Sequence, residues 1–595
     1  MTAIKHFMWG FQRHFRVNEK LHAQAVFRLL DPRFDPEVFL VGVLDEKATG
    51  RHPACVEPED EFWMPSESFN EVKEAAKPLA ATYPESQIVH SHPRAQASEA
   101  EGLRRRAIRD IICKTIAECP TKPSGMAYFA SFPVHRDGYL ISTVLGLQSA
   151  VIDSHARLLI DRLHIHEYRS FKAAVSLIDA ATDQFLEDSA YGLRQPGAGE
   201  GLGSLRSPGE LLRIAGDRLT KDCAYKADSD GDVSGYWERL FDACNSIAAL
   251  KYEQAAASGR IVVAGREHDA LSAFISFVTP PDIHNARAAR KLLELASRGL
   301  ALHANAKTIF GLVEVGDYDA TREDLFEVSI LGYHQWELAH AGHAIMHVHS
   351  GQPRLPALPF DAQKLRTNLP RVFRGLSAEH VERIVPLVQQ ATREGHGTML
   401  VIAQDAPEEA KRLANQATLI QPLQTTPELL QHLTPIDGAV LLGSDGVCHA
   451  IGVILDGRAT PEGDPARGAR FNSAVRYVQT HEKPSMAVVV SEDGGVDLIP
   501  DLRPAIQKSE IERVLNELRT VASETPIKRR RFNSLVAWLG RHAFYLSREH
   551  CEAANQLIKQ VDDRLAAEEP SDLQIIRRPF KVDPGFDPKL YYSPE

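Results

Sequence analysis

Nothing in these 595 residues is long and apolar enough to cross a bilayer. The longest apolar run, YLISTVLGLQSAVI, is broken by Ser, Thr and Gln and falls short of the ~20 residues that a spanning helix needs. Seven cysteines (Cys55, Cys113, Cys119, Cys223, Cys244, Cys448 and Cys551) are scattered without a CxxC pair, which excludes a disulfide framework and a cysteine zinc site. The opening MTAIKHFMWGFQRHFRVNEK carries no apolar h-region, so no secretory signal is expected there. A net charge of -11 gives no global attraction to nucleic acid or anionic membrane, and any phosphate-binding surface has to be local. Internal repeats and low-complexity tracts are lacking too. A soluble, cytoplasmic protein with no membrane contact is expected.

What is present is an ordinary globular composition on a chain too long for one hydrophobic core, so several domains are expected. Residues 1–193 read as an α/β or α+β domain. VFLVGVL is a buried strand, and GMAYFASFPVHRDGYLISTVLGL is a hairpin joined at His135-Arg136-Asp137-Gly138. RQPGAGEGLGSLRSP, residues 194–208, has closely spaced glycines but lacks the flanking strand and helix of a phosphate loop, and reads as a linker. A helix then starts with Ser207 as N-cap, Pro208 at the first position and Glu210 closing a capping box. A second α/β unit covers residues 209–355, and the prolines of QPRLPALPF form a connector. Residues 360–506 alternate helices with GTMLVIA, GAVLLG, AIGVIL and MAVVVSE, the pattern of a sheet covered on both faces. A helical tail over 507–570 and an extended stretch over 571–595 complete the chain. Lys528, Arg529, Arg530 and Arg531 open one tail helix; a solvated face is the favoured reading and nucleic-acid contact the lesser one.

Two histidine groups invite a metal reading. His90-Ser91-His92-Pro93 resembles the HxHP of JAMM-type zinc peptidases, but Ser98 falls too early and Glu101 stands where that family has its serine. A polar loop is expected. HQWELAHAGHAIMHVHSG brings His334, His340, His343, His347 and His349 together, on a helix face or on alternating strand positions, with Glu337 alone as an accompanying carboxylate. Structural histidines or a polar interface are the favoured reading.

The third region differs in kind. Asp437 stands just before a buried strand, beside Gly438 and the small Ala439, which let a ligand approach the backbone. DPARGARFNSAVRYV then enters a helix whose first N–H groups, with Arg467 and Arg470, suit an anion or phosphate. A charged surface helix would account for the arginines nearly as well. MAVVVSEDGG ends a strand at Ser491-Glu492-Asp493, a second carboxylate source. Carboxylates with arginines are what metal-assisted phosphoryl transfer requires.

TPIDGAVLL, RGARFNSAV and VVVSEDGGVDLI, in this order, resemble the diadenylate cyclase (DAC) domain, and HGTMLVI resembles that domain's earlier strand. The resemblance covers about 360–506, and the preceding layout is similar to multidomain DAC-like proteins with an N-terminal sensor part. It implies a mixed sheet flanked by helices, condensation of two ATP into cyclic di-AMP, Mg²⁺ or Mn²⁺ as cofactor, and a homo-oligomer with facing sites. Asp437, Gly438 and Ala439 fall on the family's DGA motif, with Asp437 holding metal near the ribose 3′-hydroxyl. Arg470 falls on the first Arg of its RHR motif and would bind phosphate, and Glu492 would support the metal. The implied catalytic set is Asp437, Arg470, Ser473 and Glu492. The implied nucleotide-binding set is Gly438, Ala439, Arg467, Gly468, Asn472 and Arg476. Phe471 and Asn472 depart from the family's His and Arg: one supplies no proton, the other no charge. Arg467 and Arg476 would compensate from either side, and Ser473 would orient a phosphate oxygen. A nucleotide-binding sensor with a decayed site, or a related transferase with another product, are the alternatives.

Overall fold

The computed structural model describes residues 7–45, 51–58, 63–166, 169–201, 206–228, 240–251, 258–296, 299–357, 360–393, 397–458, 468–491, 495–568 and 577–593. The chain forms two compact units, Ala3–Pro356 and Ala357–Glu595.

In the Ala3–Pro356 unit a 5-stranded antiparallel sheet runs in the order Ala54–Glu57, Glu37–Leu44, Tyr139–Gln148, Met126–Ala130, with Val134–Arg136 also paired to Tyr139–Gln148. Side chains alternate across a strand, and here both faces are covered. Phe39, Val41 and Val43 pack with Ile108 and Ile112 of the Pro93–Ala117 helix, whereas Val38 packs with Val26 and Phe27 of the Gln12–Leu30 helix. That is why the strand reads as one apolar run. The hairpin is tighter than the sequence suggests: His135 and Arg136 stay in strand, and only Asp137 and Gly138, at φ 47 and 83, make the turn. The Pro208–Ala227 helix starts as expected, with Ser207 Oγ accepting from the Glu210 N–H at 3.3 Å.

Still in this unit, an 8-stranded mixed sheet spans residues 259–354, and within it Gly259–Ala264 and Leu300–Ala304 run parallel. The histidine-rich stretch is a strand hairpin, Gln335–His340 with His343–His349, not a helix.

The Ala357–Glu595 unit holds a 6-stranded sheet in the order Thr418–Gln424, Val447–Val453, Ala439–Gly443, Thr398–Ala403, Ser485–Val490, Val496–Ile499. Thr398–Ala403 and Ala439–Gly443 are parallel and the other pairs antiparallel. One face buries Leu400, Ile402, Val440 and Val488 beneath the Ala378–Ala391 helix. The other buries Met399, Val401, Leu441 and Val489 beneath Ala474, Val475 and Tyr477 of the Ala469–Thr480 helix. Beyond the sheet, the Lys508–Ser523, Arg529–Arg541 and Arg548–Glu568 helices close around Leu518, Phe532, Leu539 and Val561. The stretch expected to be extended at the C-terminus contains a short helix, Pro588–Tyr591, whose Tyr591 is buried in that same cluster.

Candidate functional site

Register decides which segments meet at one end of the 6-stranded sheet. Met399 pairs with Ala439 in parallel and Thr398 with Val490 in antiparallel fashion, so the start of two strands and the finish of a third converge. Asp437 and Ser491 therefore flank the same sheet end. Ser491 closes its own loop, its N–H and its hydroxyl both donating to Gly495 O at 2.9 and 3.1 Å.

Two glycines shape the approach to this end. Gly438 sits at φ +106 and Gly452, across the strand pair, at φ +62. A Cβ on Gly438 would stand 2.6 Å from Gly452 C and 2.9 Å from Gly452 O, and one on Gly452 would meet Ile436 Cγ2 at 3.0 Å. Only bare backbone fits, in a conformation that L side chains avoid. The chain thus reaches its strand with Asp437 turned outward, its side chain 98% exposed.

Opposite Asp437, the Ala469–Thr480 helix begins at Gly468, which makes no side-chain cap bond. Its first turn carries Arg470, whose Nη2 lies 3.7 Å from Asp437 Oδ1. The positive helix end and the guanidinium together favour an anion placed beside an accessible carboxylate. Phe471 is half-buried and packs against the core cluster that includes Met399, Val401 and Ala474. The Asn472 amide donates to Gly468 O at 3.2 Å, within its own helix. Ser473 is half-buried in the same turn. Arg476 is exposed, but its position lies roughly 120° around the helix from Arg470, where the backbone passes Gly457. Asp437, Gly438, Ala439, Gly468 and Arg470 are thus gathered at one sheet end, while Arg476 occupies another helix stripe. Arg467 and Glu492 lie outside the described residues, so among the described residues Asp437 is the carboxylate this site offers a cation. No group of three or more His, Cys, Asp or Glu suited to a metal occurs among the described residues.

Behind the site lies a polar network that sequence reasoning missed. Glu409, 3% exposed, accepts the Tyr477 hydroxyl at 2.9 Å and both Arg412 Nη2 and Nε, at 2.7 and 2.8 Å. Arg412 also grips Asp456 at 2.6 and 2.7 Å, and His481 Nε2 lies 2.9 Å from Asp405 while its ring stacks on Tyr477. Hydrogen bonds from Arg412 hold the Asp456 carboxyl below its usual range. Burial, with the Glu409 charge beside it, pushes the Tyr477 phenol well above its usual range. The network fixes the segment leaving Val453 and the Ala469–Thr480 helix to one another. Its only sequence signal is Glu409 and Arg412 at i, i+3.

The two histidine groups serve local structure. His92 caps the Pro93–Ala117 helix, accepting from Arg94 N at 3.2 Å, and His90 lies 3.7 Å from Glu99. His347 pairs with Glu337 across the hairpin at 2.5 Å, and burial pulls the His340 pKa down beside Tyr318. In the basic run, Lys528 pairs with Glu524 and Arg531 with Glu517.

Comparison with known proteins gives three family matches. Residues 387–501 match DAC, described as DisA bacterial checkpoint controller nucleotide-binding. Residues 8–220 match the probable sensor domain DACNG and residues 238–342 the probable sensor domain DACNH. Among solved structures, a hypothetical membrane spanning protein from Bacillus cereus is 23% identical over 22% of this chain and 63% of its own, with a TM-score of 0.18. This chain therefore spans less than two thirds of that protein. DacA from Staphylococcus aureus, solved as a double mutant, is 20% identical over 23% of this chain and 93% of its own, also with a TM-score of 0.18. No curated protein matches. Among the described residues no helix is long and apolar enough to cross a membrane.

Proposed function

We propose that this multidomain DAC-like chain, which matches the DAC nucleotide-binding domain over residues 387–501 behind the probable sensor domains DACNG and DACNH, is a diadenylate cyclase-type nucleotidyltransferase governed by its sensor region. The observation that carries this reading is Asp437, exposed at the open sheet end and facing Arg470 at a helix start. The ribose 3′-hydroxyl of one ATP would sit beside Asp437 with the α-phosphate of a second ATP in line. Attack forms a 3′-oxygen–phosphorus bond, breaks the bond to the leaving pyrophosphate and gives the hydroxyl proton to solvent or a nearby base. Repetition in the opposite sense closes cyclic di-AMP and releases a second pyrophosphate. One site cannot present both ends at once, so a homo-oligomer with two facing copies is required. Arg470 would hold phosphate oxygens, and the closely packed Gly438 and Ala439 would admit the nucleotide to the backbone; positioning and electrostatics would supply most of the acceleration. Mg²⁺ or Mn²⁺, held by Asp437 with Glu492, would add charge to offset that of the phosphates. A cytoplasmic location accords with the ATP supply.

The turn of Phe471 toward the core and the internal bond of Asn472 favour a second reading, a nucleotide-binding receptor without turnover. Incubation of the purified chain with ATP and Mn²⁺ or Mg²⁺, followed by mass spectrometry beside Asp437→Asn, decides between them. Cyclic di-AMP that disappears in the variant supports the cyclase, and another cyclic or linear product supports a related transferase. Bound but intact ATP, with other nucleotides equally untouched, supports the receptor.

A further inference from the structure

A cavity of about 480 Å³ opens in the Ala3–Pro356 unit between the Gln12–Leu30 helix, the Leu177–Arg194 helix and residues 195–201. Those last residues belong to the glycine-bearing stretch that reads as a linker, yet they are tied down as a wall. Trp9 Nε1 donates to Ala198 O at 3.2 Å, Asn18 Nδ2 to Gly201 O at 3.1 Å, and Arg136 to Leu193 O and Gln195 O at 3.1 and 2.8 Å. Gly199, at φ +87, lies so close to the first helix that a Cβ would stand 2.5 Å from Phe11 O. The cavity is thus held open by contacts present before any ligand arrives, and its volume falls in the range of roughly 300–1,000 Å³ typical of small-molecule sites.

Its lining is short of positive charge. Glu19 is 2% exposed, and the Asp188 side chain is 17% exposed, with its Oδ2 closed to solvent and without a hydrogen-bond partner among the described residues. Asp188 Oδ1 accepts from Gln184 Nε2 at 2.9 Å and lies 3.3 Å from Arg206, the one cationic side chain in the lining. Phe15 and Tyr191 supply aromatic surface, Tyr191 being 60% exposed. A carboxylate or phosphate ligand would meet like charge, and a neutral apolar one would desolvate the Asp188 carboxylate with Arg206 as the one cation of the lining beside it. A bare metal ion would leave most of the volume unfilled, and the described residues offer it no cluster of three donors.

We propose that this cavity binds a small organic cation, a primary amine or guanidine on a short stem, with its N–H groups on the Asp188 carboxylate and the neighbouring Glu19 carboxyl and its stem against Phe15 and Tyr191. The assignment of a signal to the cavity rests on the sensor reading of residues 8–220, whereas the binding itself does not depend on nucleotide chemistry.

Isothermal titration calorimetry of the full chain with putrescine and with agmatine, without nucleotide, tests it. Saturable binding of at least one of them, with at least tenfold weakening in Asp188→Asn, is the expected result. Tyr191→Ala alters the mouth without touching Glu19 or Asp188, and a weakened affinity is expected there as well. Absence of binding by both amines, or equal affinity in a folded Asp188→Asn and Tyr191→Ala, overturns the proposal. Heat from Mg²⁺ alone, with the same dependence on Asp188, also overturns it in favour of a metal site. An amine that binds as expected but leaves nucleotide turnover unchanged upholds the cavity and overturns the sensor reading instead.

Discussion

Arg470 holds its guanidinium 3.7 Å from the carboxylate of Asp437, joining a helix start to a strand start, with side chains 43% and 98% exposed. An ion pair so open to water contributes little to folding. Asp437→Asn and Arg470→Ala should therefore leave the melting temperature unchanged while product formation from ATP falls at least ~100-fold. Differential scanning fluorimetry beside product mass spectrometry checks both halves. A variant that loses stability as well would show the pair to be structural.

Gly438 and Gly468 bracket the site and should respond to substitution to different degrees. Gly438→Ala forces a side chain to φ +106 and against Gly452 backbone, and should cost at least about 2 kcal/mol. Gly468 has ordinary extended dihedrals and open space around it, so Gly468→Ala should cost under about 1 kcal/mol. Urea midpoints of the two variants measure the contrast, and equal losses would contradict the close approach of Gly438 to Gly452.

Tyr477→Phe removes a hydrogen bond to a buried carboxylate and leaves Glu409 with Arg412 and, at 3.8 Å, His481. A loss of about 1.5–3 kcal/mol is expected. Faster amide hydrogen exchange along the Ala469–Thr480 helix should accompany it, because the phenol ties that helix to the Ala406–Arg412 helix. Unchanged exchange would mean that the network holds without the phenol.

Glu19 makes stability depend on pH in a direction opposite to that of an ion-paired carboxylate. Burial raises its pKa from 4.5 to about 7, with Ser189 lowering it somewhat and the Asp188 charge raising it. Between those values the folded chain keeps a proton that the unfolded chain releases, so stability falls as pH rises through this window and levels off above it. The loss is on the order of 3 kcal/mol. Asp222, raised from 3.8 to about 6 by burial, acts in the same direction at slightly lower pH. Glu19→Gln cannot titrate and should flatten most of the change between pH 5 and 7.5, measured as denaturant midpoints of the two proteins. Identical profiles would contradict a protonated Glu19.

The central strands were legible because burial on both faces demands continuous apolar runs, as in Thr398–Ala403, Ala439–Gly443 and Ser485–Val490. Thr418–Gln424 was not. It is an exposed edge strand carrying Pro422 and two glutamines, and its pairing breaks between Leu419 and Leu423. Asp437 and Arg470 could be singled out because charged residues beside glycines interrupt apolar runs in a recognisable order. Glu409, Arg412, Asp456 and Tyr477 could not be joined in the same way, because their contacts link three segments with no common periodicity.

The sequence by itself determined where the chain turns, which runs are buried, and that a carboxylate precedes one strand while arginines open one helix. Those are local consequences of side-chain period and backbone freedom. Only the tertiary structure decided that Gly438 lies against Gly452, that Phe471 turns to the core, and that a glycine-bearing stretch closes a cavity over Glu19 and Asp188. These outcomes depend on register and close packing between distant segments. Each is set by a whole neighbourhood filling its space at once, which no single stretch of residues encodes.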